Sequence, residues 1–270
     1  MKNLKFNIIH HFKEVKLKNN KLTTKKIINI SIFSAASVAM IVVLFSYTPI
    51  LIFPTAKIAF EGVFIKIVGY LFGPFCGAII GLITELLVNL IRPSFVHWVF
   101  FVTMIVYGLI GGIGNFINRS FSYRLKMISF FLFLGLVLGL YVGLWYYYDS
   151  HGLVTTGSFI DSIFKSALLI SFLVITIILI AILAIFISCC HFLKKQKLVA
   201  DLIPIIIFSG ILDFGIGNFL IPIADHSILG ISYGTLVFLK FFVSPIIFLF
   251  NIAIIYTVVT VLNKILKNHA

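Results

Sequence analysis

GYLFGPFCGAIIG, residues 69–81, carries a glycine at every fourth position: Gly69, Gly73, Gly77 and Gly81. Spacing by four stacks small residues on one face of a helix. Pro74, in the middle of the run, lacks the N–H that a helix interior uses and clashes with the turn before it. The stretch is therefore either one kinked helix or two helices folded back at a Gly-Pro turn. The choice sets the sidedness of everything that follows.

Working outward, apolar segments occupy roughly 27–48, 58–72, 75–91, 96–117, 127–148, 160–190, 201–223 and 234–262. A membrane-spanning helix needs about 20 residues, so the second and third are short. Basic residues decide between the two readings. The first 26 residues carry eight lysines against the single acid Glu14. Arg119, Arg124 and Lys126 follow the fourth segment, Lys194, Lys195 and Lys197 the sixth, and Lys264 and Lys267 the last. Only Lys57 and Arg92 fall in the alternate loops, with Lys165 just inside a helix, and those loops collect Asp149, Asp161 and Asp225. If 69–81 is two helices with an internal amino terminus, every basic cluster lies on the cytoplasmic side, as the positive-inside rule requires. One helix there would swap them all. Gly73-Pro74 is thus read as a tight cytoplasmic turn with close backbone approach around it.

Composition agrees. The chain of 270 residues is 61% hydrophobic and 11% charged, with mean hydropathy +1.18. No soluble domain hides that much apolar surface. The net charge of +13 sits at the ends and in short loops, a membrane-flank pattern rather than a nucleic-acid patch. The first apolar run is too long for a signal-peptide core and has no obvious small-residue cleavage site. The expected architecture is an all-α polytopic membrane protein of about eight spans with both termini cytoplasmic. A basic tail at 1–26 precedes one transmembrane domain at 27–263 and a short tail at 264–270. The expected location is the cell membrane.

Cys76, Cys189 and Cys190 form no disulfide framework, and the Cys189-Cys190-His191 group has too few neighbouring ligands for a metal. Small residues recur at helical spacing in Ser31-Ala35-Ala39, Gly108-Gly112 and Gly135-Gly139-Gly143. Such faces mark helix contacts in lipid, chiefly within the bundle. Ala35 and Ala39, beside the basic tail, are instead candidates for docking another subunit.

Ionisable groups inside a membrane are costly and raise functional hypotheses. Here they are Glu61, Lys66, Glu85, Asp213 and Lys240. Counted from the external ends, Glu61, Glu85 and Lys240 fall in the outer half, with Asn89, Arg92, His97, Trp98, Asn218 and Tyr233 at or above their level. Convergence of polar and aromatic groups from several segments suggests an externally open pocket. Against this, Lys66 and Lys240 have Glu61, Glu85 and Asp213 as possible ion-pair partners, and Trp98 and Tyr233 suit interfacial anchoring. There is no phosphate loop, no H-E-x-x-H metal motif and no nucleophile elbow. Nothing points to an enzyme, and uphill transport needs energy from outside the chain.

The stretch from Lys57 to Phe95 resembles helices two and three of the substrate-binding S components of energy-coupling factor (ECF) vitamin transporters, folate-type members in particular. The resemblance rests on Lys57-Ile58-Ala59-Phe60, on Leu71-Phe72-Gly73-Pro74, and on Gly77-Ala78-Ile79-Ile80-Gly81 leading to Glu85-Leu86-Leu87. It continues through Tyr107-Gly108-Leu109-Ile110-Gly111, and Ala35-x-x-x-Ala39 fits the alanine face that the family sets against its transmembrane partner. The match covers roughly 30–117 and, less strongly, 205 onward. It departs from the family at 94–98, where Ser94-Phe95-Val96-His97-Trp98 replaces a P-G-F-T-like opening. The resemblance implies a six-helix core with 127–190 as an inserted two-helix hairpin. It also implies capture of folate or a related vitamin outside, with a transmembrane T subunit and two cytoplasmic ATPases as partners. ATP and magnesium would be bound by those ATPases, with no cofactor in this chain. Trp98 or Tyr233 would then stack on a ring and Arg92 or Lys240 meet a carboxylate. The alternative is a self-sufficient proton-coupled secondary transporter using Lys66, Glu85 or Asp213.

Overall fold

A computed structural model of the chain describes residues 24–47, 54–91, 97–151 and 159–268, with some side chains inside these ranges excluded. The described residues form α1 (Thr24–Tyr47), α2 (Pro54–Phe72), α3 (Pro74–Ile91), α4 (Trp98–Ser120), α5 (Tyr123–His151) and α6 (Phe159–Phe192). They continue in α7 (Gln196–Gly210), a π-helical segment (Ile211–Gly217), α8 (Asn218–Leu229) and α9 (Tyr233–Asn268). Among the described residues five stretches are long and apolar enough to cross a membrane, and α7, the π segment and α8 together make one of them, Gln196–Leu229. The architecture is an all-α polytopic membrane protein. Each of the eight apolar segments coincides with a helical rod.

Residues 69–81 are two helices. Gly73 has φ +99°, a conformation that side chains resist. Pro74 opens α3, where its missing N–H costs nothing. The chain reverses so tightly that a Cβ on Gly77 would lie 2.7 Å from the Cα of Gly69 and collide with the Gly108 carbonyl. Gly108 in turn meets the Gly77 backbone, and Gly112 meets Pro74. Three helices thus cross with their backbones in contact, where dispersion and Cα–H···O contacts supply the attraction that lipid cannot.

The hairpin α5–α6 is packed into the body. Phe130, Phe133, Leu134, Val137 and Tyr141 form the buried face of α5 and share one core with α7 and α9. Tyr141 donates to the Phe241 carbonyl at 2.8 Å and Tyr148 to that of Gly234 at 2.7 Å. Gly135, Gly139 and Gly143, expected to mark a contact within the bundle, lie on the opposite face with nothing within 4 Å of where a Cβ would stand.

One end of the bundle is tied by a polar chain. Asn118 donates to the Tyr70 hydroxyl at 2.9 Å, and Lys126 donates to Asn118 at 2.6 Å and to the Ala200 carbonyl at 3.0 Å. The ends of α2 and α4 and the starts of α5 and α7 therefore lie together. Exposed Arg119, Arg124, Lys194, Lys195 and Lys197 surround them. By the positive-inside rule this is the cytoplasmic end.

Candidate functional site

The rod α7–π–α8 passes through the middle of the bundle, and its π segment holds Asp213. Single-turn π insertions in α-helices recur at functional sites because they re-aim side chains and loosen the backbone ladder. Asp213 accepts from Lys66 Nζ at 2.5 Å, Asn251 Nδ2 at 3.0 Å and Ser209 Oγ at 3.2 Å. Lys66 is fully buried, with its ammonium 4.8 Å from the centroid of the Tyr107 ring. Two opposite charges and their hydrogen bonds compensate each other's desolvation, and the knot joins α2, α4, α7, the π segment and α9.

Directly against this knot lies a cavity of about 20 Å³, room for roughly one water. Tyr107, Asp213, Asn218, Lys240 and Ser244 are among the residues that border it. Lys240 lies seven residues into α9 from Tyr233, about 10 Å below the end of the bundle opposite the basic one. Asp225 stands 3.9 Å from the Lys240 ammonium. Ser244 connects to Asn218 at 2.8 Å and to the Lys240 carbonyl at 2.5 Å. Among the described residues, Asn218 Nδ2, Asn251 Oδ1 and Asp225 Oδ2 are buried atoms without a hydrogen-bond partner. Each is an unmet demand of the kind that a bound molecule or water satisfies.

The family model for the S component of ECF-type riboflavin transporters matches residues 21–188. The chain belongs to the ECF S components. It is accordingly a membrane-embedded, vitamin-binding transporter subunit rather than a member of an enzyme class. No curated protein and no solved structure matches it.

Of the residues expected at the S component's site, Asn218 and Lys240 meet at the cavity. Tyr233 stands above them, half-exposed, its hydroxyl donating to the Phe219 carbonyl at 3.1 Å. Glu85 is buried elsewhere on α3, accepting from Asn89 at 3.1 Å. His97 caps α4, its Nδ1 accepting from the Val99 N–H at 3.3 Å. Trp98 is 64% exposed beside it, as an interfacial anchor is. Neither borders the cavity. Arg92 lies outside the described residues, as does the side chain of Glu61. Ala35 and Ala39 are exposed on the outer face of α1, while Ser34, Ser37 and Val38 pack inward.

Asp225 requires a correction. The reading from sequence places it in an external loop because the apolar run stops near Ile223. It is instead a buried residue of α8 that stands 3.9 Å from the Lys240 ammonium, an ion-pair partner that the reading from sequence did not offer. Ser244 and Tyr107 carried no polar signal strong enough to single them out. Only the i, i+4 spacing of Lys240 and Ser244 on one helix face pointed to the former.

Proposed function

We propose that this S component captures a water-soluble vitamin at the external face and delivers it to the cytoplasm on ATP hydrolysed by partner subunits. The partners are a transmembrane T subunit and two cytoplasmic ATPases. One observation carries the assignment of the site: the buried amide of Asn218, one of whose atoms has no hydrogen-bond partner, lines a cavity together with Lys240 and Ser244 about 10 Å below the non-basic end of the bundle. Riboflavin is the first candidate, since the matching family is named for it. Folate is the second, from the Leu-Phe-Gly-Pro and Gly-Ala-x-x-Gly motifs. The cavity has room for about one water, so a vitamin enters by parting the side chains of α8 and α9 above it.

Purification from native membranes with mass spectrometry of the associated molecules tests this reading. Riboflavin or folate together with an ATPase pair supports it. Uptake by the purified chain alone in liposomes, driven by a pH gradient without ATP, replaces it with the secondary-transporter reading.

A further inference from the structure

Pro245 sits in the interior of α9. It has no N–H to return to the Phe241 carbonyl four residues back, and its ring crowds that carbonyl. Within a membrane, an acceptor freed in this way is satisfied by a neighbouring helix. Here the donor is Tyr141 of α5, fully buried, whose hydroxyl reaches the Phe241 oxygen at 2.8 Å. The Tyr141 ring stands edge-on to Phe241 at 5.3 Å and to Phe214 of the π segment at 5.8 Å. One side chain thus braces both interruptions of the regular α-helical ladder beside the cavity.

Two turns away the contact repeats. Tyr148 donates to the Gly234 carbonyl at 2.7 Å, and its ring stands edge-on to Phe238 at 5.4 Å. Tyr141 to Tyr148 on α5 and Phe241 back to Gly234 on α9 are equal steps of about 10 Å, so the two helices run antiparallel in register. α5 is itself held at its start, where Lys126 donates to the Ala200 carbonyl at 3.0 Å. The stretch of α9 fastened in this way, residues 233–244, brings Lys240, Val243 and Ser244 to the cavity, while Ile247 borders it from beyond Pro245. The Ser244 hydroxyl also bonds back to the Lys240 carbonyl at 2.5 Å, a contact of the kind that bends helices. Proline and serine together make this point of α9 a hinge, and two phenol hydroxyls pin the part outside it.

We propose that α5 is a clamp on the outer half of α9 and that Tyr141 is its positioning residue. The Tyr141 hydroxyl stands in for the hydrogen bond that Pro245 denies Phe241, and so holds the cavity-lining residues of α9 in place. Tyr148 fastens the far end of the same stretch. The consequence for ligand rests on the vitamin-binding reading above: a captured molecule leaves by a swing of α9 about Pro245, which the clamp slows.

The test uses the full chain in lipid nanodiscs. Tyr141→Phe and Tyr148→Phe each remove one oxygen and keep the ring contacts. Amide hydrogen exchange over residues 234–244, followed by mass spectrometry without ligand, is expected to quicken at least about tenfold in each. Pro245→Ala returns a backbone N–H to the Phe241 carbonyl. It is expected to reverse most of the change in the Tyr141→Phe chain and little of it in the Tyr148→Phe chain. Equal slowing in both chains reports helix propensity alone and overturns the role of Tyr141, as does slowing in neither. Exchange unaltered by both tyrosine substitutions overturns the clamp. For riboflavin or folic acid, whichever binds, Tyr141→Phe is expected to speed dissociation at least about threefold, with the same selective rescue. Altered exchange with unaltered dissociation overturns the clamp's role in release and leaves vitamin capture intact. Binding of neither vitamin overturns the proposed function, while the exchange result still decides the clamp.

Discussion

Lys66 and Asp213 are 147 positions apart in the chain and 2.5 Å apart in the fold. The sequence shows that such a lysine needs an acid, but three acids were available, and helical periodicity says nothing about which rods become neighbours. Packing chose the one on the π segment. Removing one partner of a buried pair strands the other charge, so Lys66→Met and Asp213→Asn should each destabilise the chain by about 3–5 kcal/mol. The double variant Lys66→Met/Asp213→Leu should recover most of that loss, since two apolar groups leave nothing uncompensated. Thermal unfolding of all three in one detergent checks this, and a double variant no better than the worse single one refutes it. At the cavity, Lys240→Ala should weaken vitamin binding tenfold or more, about 1.4 kcal/mol, by calorimetric titration. The same expectation for Arg92→Ala rests on sequence alone.

At the scale of elements, the two glycine stripes behave in opposite ways. A Cβ on Gly108 collides with the backbone at Gly77, which has nowhere to move because it is itself packed on Gly69. A Cβ on Gly139 meets nothing within 4 Å. Gly108→Ala should therefore destabilise by 2 kcal/mol or more, roughly the cost of overpacking a tight contact. Gly139→Ala should be neutral or stabilise by up to about 1 kcal/mol through helix propensity. Unfolding midpoints of the two variants, measured side by side, decide the matter. Helix number and the Gly73-Pro74 reversal were legible because apolar length, turn chemistry and basic loops all constrain them independently. The role of Gly135-Gly139-Gly143 was not, because in lipid an apolar face turned inward and one turned outward have the same composition. Asp225 was misplaced for a related reason: a single acid ends an apolar run on paper, yet a buried lysine on the next helix lets α8 continue past it.

For the molecule as a whole, the bundle has a basic end knotted by Lys126, Asn118 and Tyr70, and an opposite end beneath which Asn218 and Lys240 wait. Sidedness is directly testable, since Arg124 is exposed at the basic end. With the native cysteines replaced, Arg124→Cys should react with an impermeant thiol reagent only after the membrane is opened. Labelling in intact cells reverses the orientation and removes the external site with it. The outer face of α1 is the surface proposed to meet the partner subunits. Ile28, Ser31, Ile32, Ala35 and Ala39 are exposed along one stripe, while Phe33 packs on Phe72 at 5.7 Å and holds the helix to the body. Small side chains there admit a second helix to close backbone distance, whereas a pocket on α8 and α9 needs nothing from them. Ala35→Trp and Ala39→Trp should accordingly abolish co-purification of the ATPase pair while leaving vitamin affinity within about twofold of the parent chain, a change worth no more than a few tenths of a kcal/mol. Retained ATPases in both variants move the docking surface off α1. Lost vitamin binding in both makes that helix part of the site itself.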